Sequence, residues 1–242
     1  MATKDLITLL ISTTALAVAV YGIFERRRAG YAALRVRITE LLEIIQQMNV
    51  DQWQYADEHP DQDWDARRNV EGAHATRRAL LTYRSLELLN RIRTGQHRPA
   101  SEKFRLTADE HGVLANSLMW LRDFPTARSQ WEDAVTAAAH ATDVQRAAMH
   151  NGYAGCLFAI GDPEAAREHY RAAISFYAES EPGRYDKFCA YIDWLTAERG
   201  LRDGEWEEPL RGATELAALP SSWQEWAAVF LRDRMREAPT PA

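Results

Sequence analysis

The sequence predicts an all-α protein, in which an N-terminal transmembrane helix and a stalk helix precede a short α-α superhelix of paired helices. Three observations indicate this fold class. An apolar run near the N-terminus carries no charge and is long enough to cross a bilayer. Glycine and proline, which end helices, fall mainly between segments of helical periodicity. Two later segments also match each other at a fixed offset of 39 residues.

The apolar run Leu6–Phe24 predicts a single-pass membrane anchor within residues 1–30. As a helix it would reach about 28 Å, which is close to the thickness of the hydrocarbon core. Arg26–Arg28 follow the run, and basic residues favour the cytoplasmic side, so we expect the C-terminal domain in the cytoplasm. A cleaved signal peptide is the alternative, because Ala15–Ala17 has the small residues of a cleavage site. The apolar run continues past that site, which favours the anchor.

Residues 31–50 are predicted to form an amphipathic stalk helix, since Tyr31–Met48 contains no glycine or proline. Its apolar residues recur at alternating spacings of three and four, as in a coiled-coil seam. Two interpretations stay open: the helix packs onto the protein's own domain, or it forms a parallel homodimer. The seam consists of Tyr31, Leu34, Ile38, Leu41, Ile45 and Met48.

A polar segment and a further helix are predicted before the repeats. Residues 51–66 form an acidic linker that contains Pro60. Three alternating aspartates in it match the start of a calcium loop, but the glycine and glutamate that such a loop requires are missing. Residues 67–100 are expected to form an N-terminal capping helix that ends near Gly95.

The segments His111–Val135 and His150–Ile174 repeat each other at the 39-residue offset. Asp123 coincides with Asp162, and the ring of Trp131 coincides with that of Tyr170. These segments resemble the tetratricopeptide repeat family, in which each repeat consists of two antiparallel helices. The resemblance rests on Ala154, Leu157, Gly161, Asp162, Ala166, Tyr170 and Ala173 and on their equivalents one repeat earlier.

The resemblance implies tetratricopeptide-like repeats over residues 101–204, with divergent C-terminal capping helices and a tail over residues 205–242. In this interpretation Tyr170 is a ring that packs between successive helix pairs. Its neighbours Glu168 and His169 are then expected on the solvent side of the helix. The charged stretch around Tyr170 is therefore interpreted as scaffold rather than as a catalytic site.

The resemblance also implies a function, because repeats of this family hold peptides or partner helices along the face lined by their first helices. We expect a membrane-tethered adaptor or scaffold that binds an unidentified protein partner. The alternative is a structural, oligomerising subunit of a membrane complex that dimerises through Tyr31–Met48. A third interpretation is that the residues of this face pack against the capping helices or against the stalk. The groove is expected to include Asp109, Asn116, Met119, Trp120, Asn151, Gly155 and Phe158.

Composition and motifs argue against several other classes. The net charge of −6 does not suggest a nucleic-acid-binding protein. The two cysteines form no CxxC pair, so neither a disulfide framework nor a metal site is predicted. Common hydrolase, metalloprotease and nucleotide-binding motifs are absent, so we expect no enzyme, cofactor or catalytic residue. Two loosely spaced pairs, Arg68 with His74 and Arg91 with His97, leave an all-helical nuclease as a further alternative.

Overall fold

A computed structural model shows the chain as an all-α protein, and the residues that it describes contain no β-strand. The described backbone comprises residues 3–58, 64–94, 105–201 and 204–236. Within it, side chains are described except at 3–19, 27, 31, 52, 53, 55–58, 64–74, 93, 94 and 233–236. The chain divides into two compact units, Met1–Arg105 and Leu106–Ala242.

The first unit contains two long helices that contact each other, α1 at Thr3–Glu58 and α2 at Trp64–Thr94. The predicted anchor and stalk are therefore parts of one continuous helix. The structure also differs from the linker predicted at 51–66, because α1 continues to Glu58. Nothing between Gly30 and Pro60 breaks a helix, which explains this extension. The helix expected at 67–100 is present as α2.

No helix in the part of the first unit with described side chains is long and apolar enough to span a membrane, and the same holds for the described second unit. The predicted anchor Leu6–Phe24 lies mostly outside those side chains, which begin at Val20. The structure therefore gives the anchor no support, and it stays a prediction.

The seam predicted on the stalk is largely buried within the chain. Ile38, Leu41, Ile45 and Met48 are all nearly inaccessible, and α1 packs against α2. Tyr31 lies outside the described side chains. This arrangement corresponds to the interpretation in which the helix packs onto the protein's own domain, and the homodimer stays a prediction.

The second unit consists of helices that follow one another in pairs. α3 packs against α4, α5 against α6, and α7 against α8, while α9 packs against α8. A short 3₁₀ helix, Ala138–His140, separates the first two pairs. The helices are α3 (Ala108–Trp120), α4 (Phe124–Ala137), α5 (Asp143–Ala159), α6 (Pro163–Phe176), α7 (Glu181–Arg199), α8 (Glu207–Ala217) and α9 (Gln224–Arg236).

The turns inside the first two pairs are built alike. Arg122 and Gly161 both adopt a left-handed backbone, with φ of 58° and 82°, which reverses the chain after the first helix. Asp123 and Asp162 then cap the second helix, since each carboxylate accepts the backbone N–H three residues on at 3.4 Å. Both second helices have 14 residues, and they begin 39 residues apart. The sequence repeat is therefore also a structural repeat of helix pairs.

The two repeats bury equivalent residues. The rings of Trp131 and Tyr170 are both buried. Trp131 lies directly against the backbone of α5, because a Cβ added to Gly152 would stand 2.2 Å from its ring. Helices can approach closely only where their side chains are small. Completely buried alanines occupy equivalent positions, namely Ala115, Ala127 and Ala134 in the first repeat, and Ala154, Ala166 and Ala173 in the second.

The C-terminal end of the second unit has its own apolar core, in which Phe188 of α7 is completely buried against residues of α8 and α9. Trp223 packs at the edge of this cluster. Helices α8 and α9 correspond to the capping helices expected at 205–242. The core comprises Phe188, Ala213, Leu216, Ala217, Ala227 and Leu231.

Candidate functional site

The first helices of the pairs form the inner layer of the second unit. Helix α3 contacts α5, and α5 contacts α7. Among the described helices, the second members α4, α6 and α8 pack less closely on one another, although Arg171 of α6 forms an ion pair with Glu208 of α8. A layer whose helices lie closer together is the inside of a curved stack. The face predicted to bind a partner therefore belongs to this inner layer.

On α3 the predicted residues divide into accessible and packed ones. Asn116 is exposed, and 54% of the Trp120 surface is accessible. Asp109 is exposed and accepts a hydrogen bond from Gln145 Nε2 of α5 at 3.2 Å. Met119 is half-buried, and its Sδ accepts a hydrogen bond from Trp131 Nε1 at 3.4 Å. Asn116 and Trp120 can meet a partner, whereas Met119 supports the repeat ring.

On α5 the predicted residues border a small open space. Asn151 is half-buried, and its Nδ2 donates a hydrogen bond to Asp193 Oδ2 of α7 at 3.0 Å. A Cβ added to Gly155 would meet no atom within 4 Å. The half-buried ring of Phe158 lies 5.9 Å from that of Tyr170. Space beside Gly155 is therefore accessible, while Asn151 joins neighbouring first helices.

Asp193 is a residue of this face that the sequence did not reveal. Burial raises the pKa of its carboxyl group, although the hydrogen bond from Asn151 acts in the opposite direction. The third helix pair departs from the repeat pattern, so no offset pointed to this position. Only the contact between α5 and α7 places the carboxylate beside Asn151.

A pair of histidines joins the two helices of the second repeat. His150 Nδ1 of α5 and His169 Nδ1 of α6 are 2.8 Å apart, and both side chains are half-buried. The prediction that Glu168 and His169 lie on the solvent side is confirmed for Glu168, which is exposed, whereas His169 is half-buried against α5. At the equivalent positions of the first repeat, His111 Nδ1 lies 3.0 Å from Gln130 Oε1. The 39-residue offset aligns these pairs and was the signal that could have revealed the contact.

Aromatic rings surround the histidine pair. The Tyr153 ring meets that of His169 edge-on at 4.5 Å, and the Phe176 ring lies 5.7 Å from that of His150. The Tyr153 hydroxyl donates to Glu132 Oε1 at 2.9 Å, which connects this cluster to the first repeat. The rings therefore have defined positions.

Both histidines have lowered pKa values. Burial lowers the pKa of His150 to about 4, and the positive charges that His169 and Arg146 can carry add to this effect. Burial also lowers the pKa of His169, against an opposite effect of Glu168. Both imidazoles are consequently neutral at pH 7, and one Nδ1 donates to the other.

A buried ion pair connects the second repeat with the third helix pair. Arg167 Nε and Nη2 donate to the carboxylate of Glu198 at 2.7 and 2.9 Å. Trp194 Nε1 and the backbone N–H of Glu205 also donate to it. Burial acts to raise the pKa of Glu198, but these hydrogen bonds outweigh it and the pKa is lowered. Because every oxygen is satisfied, this cluster is a structural connection.

Within the described residues, no group of three or more His, Cys, Asp or Glu side chains is arranged to hold a metal ion. Cys156 and Cys189 form no disulfide, and burial raises the pKa of both thiols, that of Cys156 to about 11. Of the nuclease candidates, Arg91 pairs with Glu87 at the surface of α2. The side chains of Arg68, His74 and His97 lie outside the described residues.

Comparison with known proteins identifies no relative. No protein-family model matches the chain, and neither the curated proteins nor the solved structures give a match. The resemblance to tetratricopeptide repeats therefore rests on the residues of this chain alone.

Proposed function

We propose that this protein is a membrane-tethered interaction module of the tetratricopeptide type, which binds a partner polypeptide along the inner face of α3, α5 and α7. The observation that carries the proposal is the surface formed by Asn116, Trp120 and the open space beside Gly155. A side-chain amide can bond a peptide backbone, and an exposed indole can bury an apolar side chain of a partner.

The charges of this face favour a neutral or basic partner segment. Two acidic residues of this face, Asp109 and Asp193, lie on the first helices α3 and α7. Both side chains are exposed, so this face presents negative charge to a partner. A lysine or arginine from a partner would stabilise that charge, whereas an acidic peptide would be repelled.

The tether in this proposal is supported by the sequence of the N-terminal segment. Leu6–Phe24 is uncharged, and Arg26–Arg28 follow it. Confinement to one surface would raise the effective concentration of the module near a membrane partner. Resistance to alkaline carbonate extraction, together with protease access to the C-terminal domain only from the cytoplasmic side, would support this tether. Release by carbonate would contradict it.

The binding face is tested with a double variant and a matched control. Full-length protein is purified from native membranes in mild detergent, as wild type, as Asn116→Ala/Trp120→Ala, and as Ser129→Ala/Glu168→Ala. The control pair is exposed on the second helices α4 and α6. Quantitative mass spectrometry should show a partner that the first variant loses and the control retains.

Two other outcomes would count against the proposed face. If both variants retain the same partners, the inner face is not the binding site. If only the protein itself is recovered, the alternative of an oligomerising structural subunit gains support. Circular dichroism of each variant confirms that a loss of partner does not reflect unfolding.

A further inference from the structure

The last described helix of the second unit, α9, presents an apolar surface at the end of the stack. Trp226 is 47% exposed and Val229 is 44% exposed on this helix. The exposed ring of Tyr185 on α7 lies 6.0 Å from that of Trp226. The end helix of a repeat stack normally carries polar residues on its outer side, because no further repeat covers it. Large apolar side chains at this position indicate a contact with another molecule.

The rings of this surface are held in defined positions. Trp226 stacks on Phe230 with the ring centroids 5.2 Å apart, and its ring also lies 5.9 Å from that of Phe188. Phe188 is completely buried in the core that α7 forms with α8 and α9. Side chains that are fixed before binding lose little conformational entropy in a contact.

The charges beside the apolar surface are complementary to themselves. Glu225 and Arg232 are both exposed and lie seven residues apart on α9. Seven residues are about two helical turns, so both side chains lie on the same side of the helix, about 10.5 Å apart along its axis. Val229 lies between them along the helix, and Trp226 and Phe230 follow on its other side. An identical helix in antiparallel orientation would therefore place an arginine opposite each glutamate.

We propose that this surface of α9 pairs with the same surface of a second copy of the chain. The two α9 helices run antiparallel about a two-fold axis close to Val229, which lies near the midpoint between Glu225 and Arg232. Such a contact uses one patch twice, so every favourable pair occurs twice. It forms two Glu225–Arg232 ion pairs between the copies and places each Trp226 beside Phe230 of the other copy.

The size of the surface predicts a weak, reversible dimer. Fully covered aromatic side chains bury about 150–250 Å² each, so the exposed parts of Trp226 and Tyr185 contribute roughly 200 Å² per copy. Stable interfaces bury about 1,200–2,000 Å² in total. The proposal depends neither on the partner-binding face nor on the homodimer predicted through the stalk, because only α9 and the rings beside it take part.

The test traps the contact with a disulfide at the two-fold axis. Helix axes about 8–10 Å apart bring the two Val229 Cα atoms to about 4–6 Å, which is within the range of a disulfide. Full-length Val229→Cys in mild detergent should therefore form cross-linked dimers under mild oxidation, and mass spectrometry should identify the linked peptides. Ser129→Cys, exposed on α4, is the control and should not cross-link. The wild type measures the background from Cys156 and Cys189.

Charge changes in the Val229→Cys protein test the antiparallel pairing. Adding Glu225→Arg or Arg232→Glu should lower the rate of cross-linking at least tenfold, because like charges then face each other. An equimolar mixture of these two proteins should regain the original rate, because opposite charges face each other in the mixed pair. The added control Glu168→Arg, at an exposed position of α6, should leave the rate unchanged.

Three results would overturn the proposal. Val229→Cys could cross-link no faster than Ser129→Cys, which would show that the α9 surfaces do not meet. The two charge variants could cross-link as fast as Val229→Cys alone, which would exclude the ion pairs. The mixture could remain as slow as its folded components, which would exclude the antiparallel arrangement. A dimer formed through the stalk does not produce the expected pattern, because the trap reports only contact at position 229.

Discussion

The first and second repeats share a backbone plan but differ in what their polar side chains do. Their second helices, α4 and α6, have the same length and begin 39 residues apart after an aspartate cap. Yet Arg128 of α4 is 46% exposed, whereas its equivalent Arg167 of α6 is 6% exposed and bound to Glu198. At another equivalent pair the exposure is reversed, since Gln130 is buried against His111 whereas His169 is half-buried against His150.

This difference teaches that the apolar and the polar positions of a repeat obey different rules. The small residues and rings face the adjacent helix of their own pair or of the next pair, so they recur with the repeat. The contacts that a polar residue makes depend on which helix follows its repeat. Arg167 meets Glu198 because α7 follows the second repeat, whereas Arg128 pairs within its own helix with Glu132.

The largest expected effect comes from filling a shared apolar position. Ala166→Trp should prevent folding of the second unit, or destabilise it by more than ~3 kcal/mol, because Ala166 is completely buried. Ala148→Trp on α5 is the control, since Ala148 is exposed. Thermal unfolding followed by circular dichroism measures both. An unchanged melting temperature of Ala166→Trp would refute the register of the repeats.

The arginine comparison predicts the next largest effect. Arg167→Ala should lower the free energy of unfolding by about 3 kcal/mol, because it leaves the buried charge of Glu198 without its partner. Arg128→Ala should change it far less, because the ion pair with Glu132 is exposed. Urea unfolding of both variants provides the measurement. Equal losses would show that the two arginines have the same role despite their different exposure.

Alanine substitutions at two glycines of α5 test how the buried ring of Trp131 packs on this helix. Gly152→Ala should destabilise the protein by about 2 kcal/mol, because the new methyl group would collide with the buried ring of Trp131. Gly155→Ala should instead stabilise it by up to ~1 kcal/mol, since its surroundings are open and alanine favours the helix. Melting temperatures should therefore shift in opposite directions. Similar shifts would mean that Trp131 does not pack on α5 as described.

The smallest expected effect is a pH dependence of the histidine pair. The pKa of His150 is about 4 in the folded protein and about 6.5 in an unfolded chain, so the unfolded chain binds more protons between these values. Stability is complete above pH 6.5 and falls as the pH approaches 4. We expect a loss of about 1 kcal/mol, which allows for the partial exposure of the ring.

The variant His150→Gln isolates this contribution. Urea unfolding at several pH values, in buffer with a chelator, should give a shallower decrease for the variant than for the wild type. The charged groups near the pair, Arg146 and Glu168, are unchanged in it. Identical pH profiles would contradict the assignment of a lowered pKa to His150.

Much of the second unit could be predicted from the sequence, because helix signals are local. The turn at Gly161, the cap at Asp162 and the buried Tyr170 all follow from residues within one repeat. The C-terminal end of α1 was harder to predict. Its last residues, up to Glu58, are polar but contain no breaker, so the segment was interpreted as a linker. Polarity alone does not end a helix.

Only part of the candidate site could be predicted from the sequence. Asn116 and Trp120 lie exposed on the first helix, as the repeat pattern implied. Met119 supports Trp131, and Asn151 is engaged by Asp193, which no pattern indicated. Contacts between side chains of different helices depend on the distances and rotations of those helices, which sequence periodicity does not specify.

By itself, then, the sequence determined the helical pairs, their 39-residue register and the small and aromatic residues at their contacts. These features arise from backbone preferences and from apolar burial, which follow local spacing. Only the tertiary structure decided which polar groups meet: His150 with His169, Arg167 with Glu198, and Asn151 with Asp193. Such pairs form between residues 19 to 42 positions apart, and hydrogen bonds require atomic distances that only packed helices define.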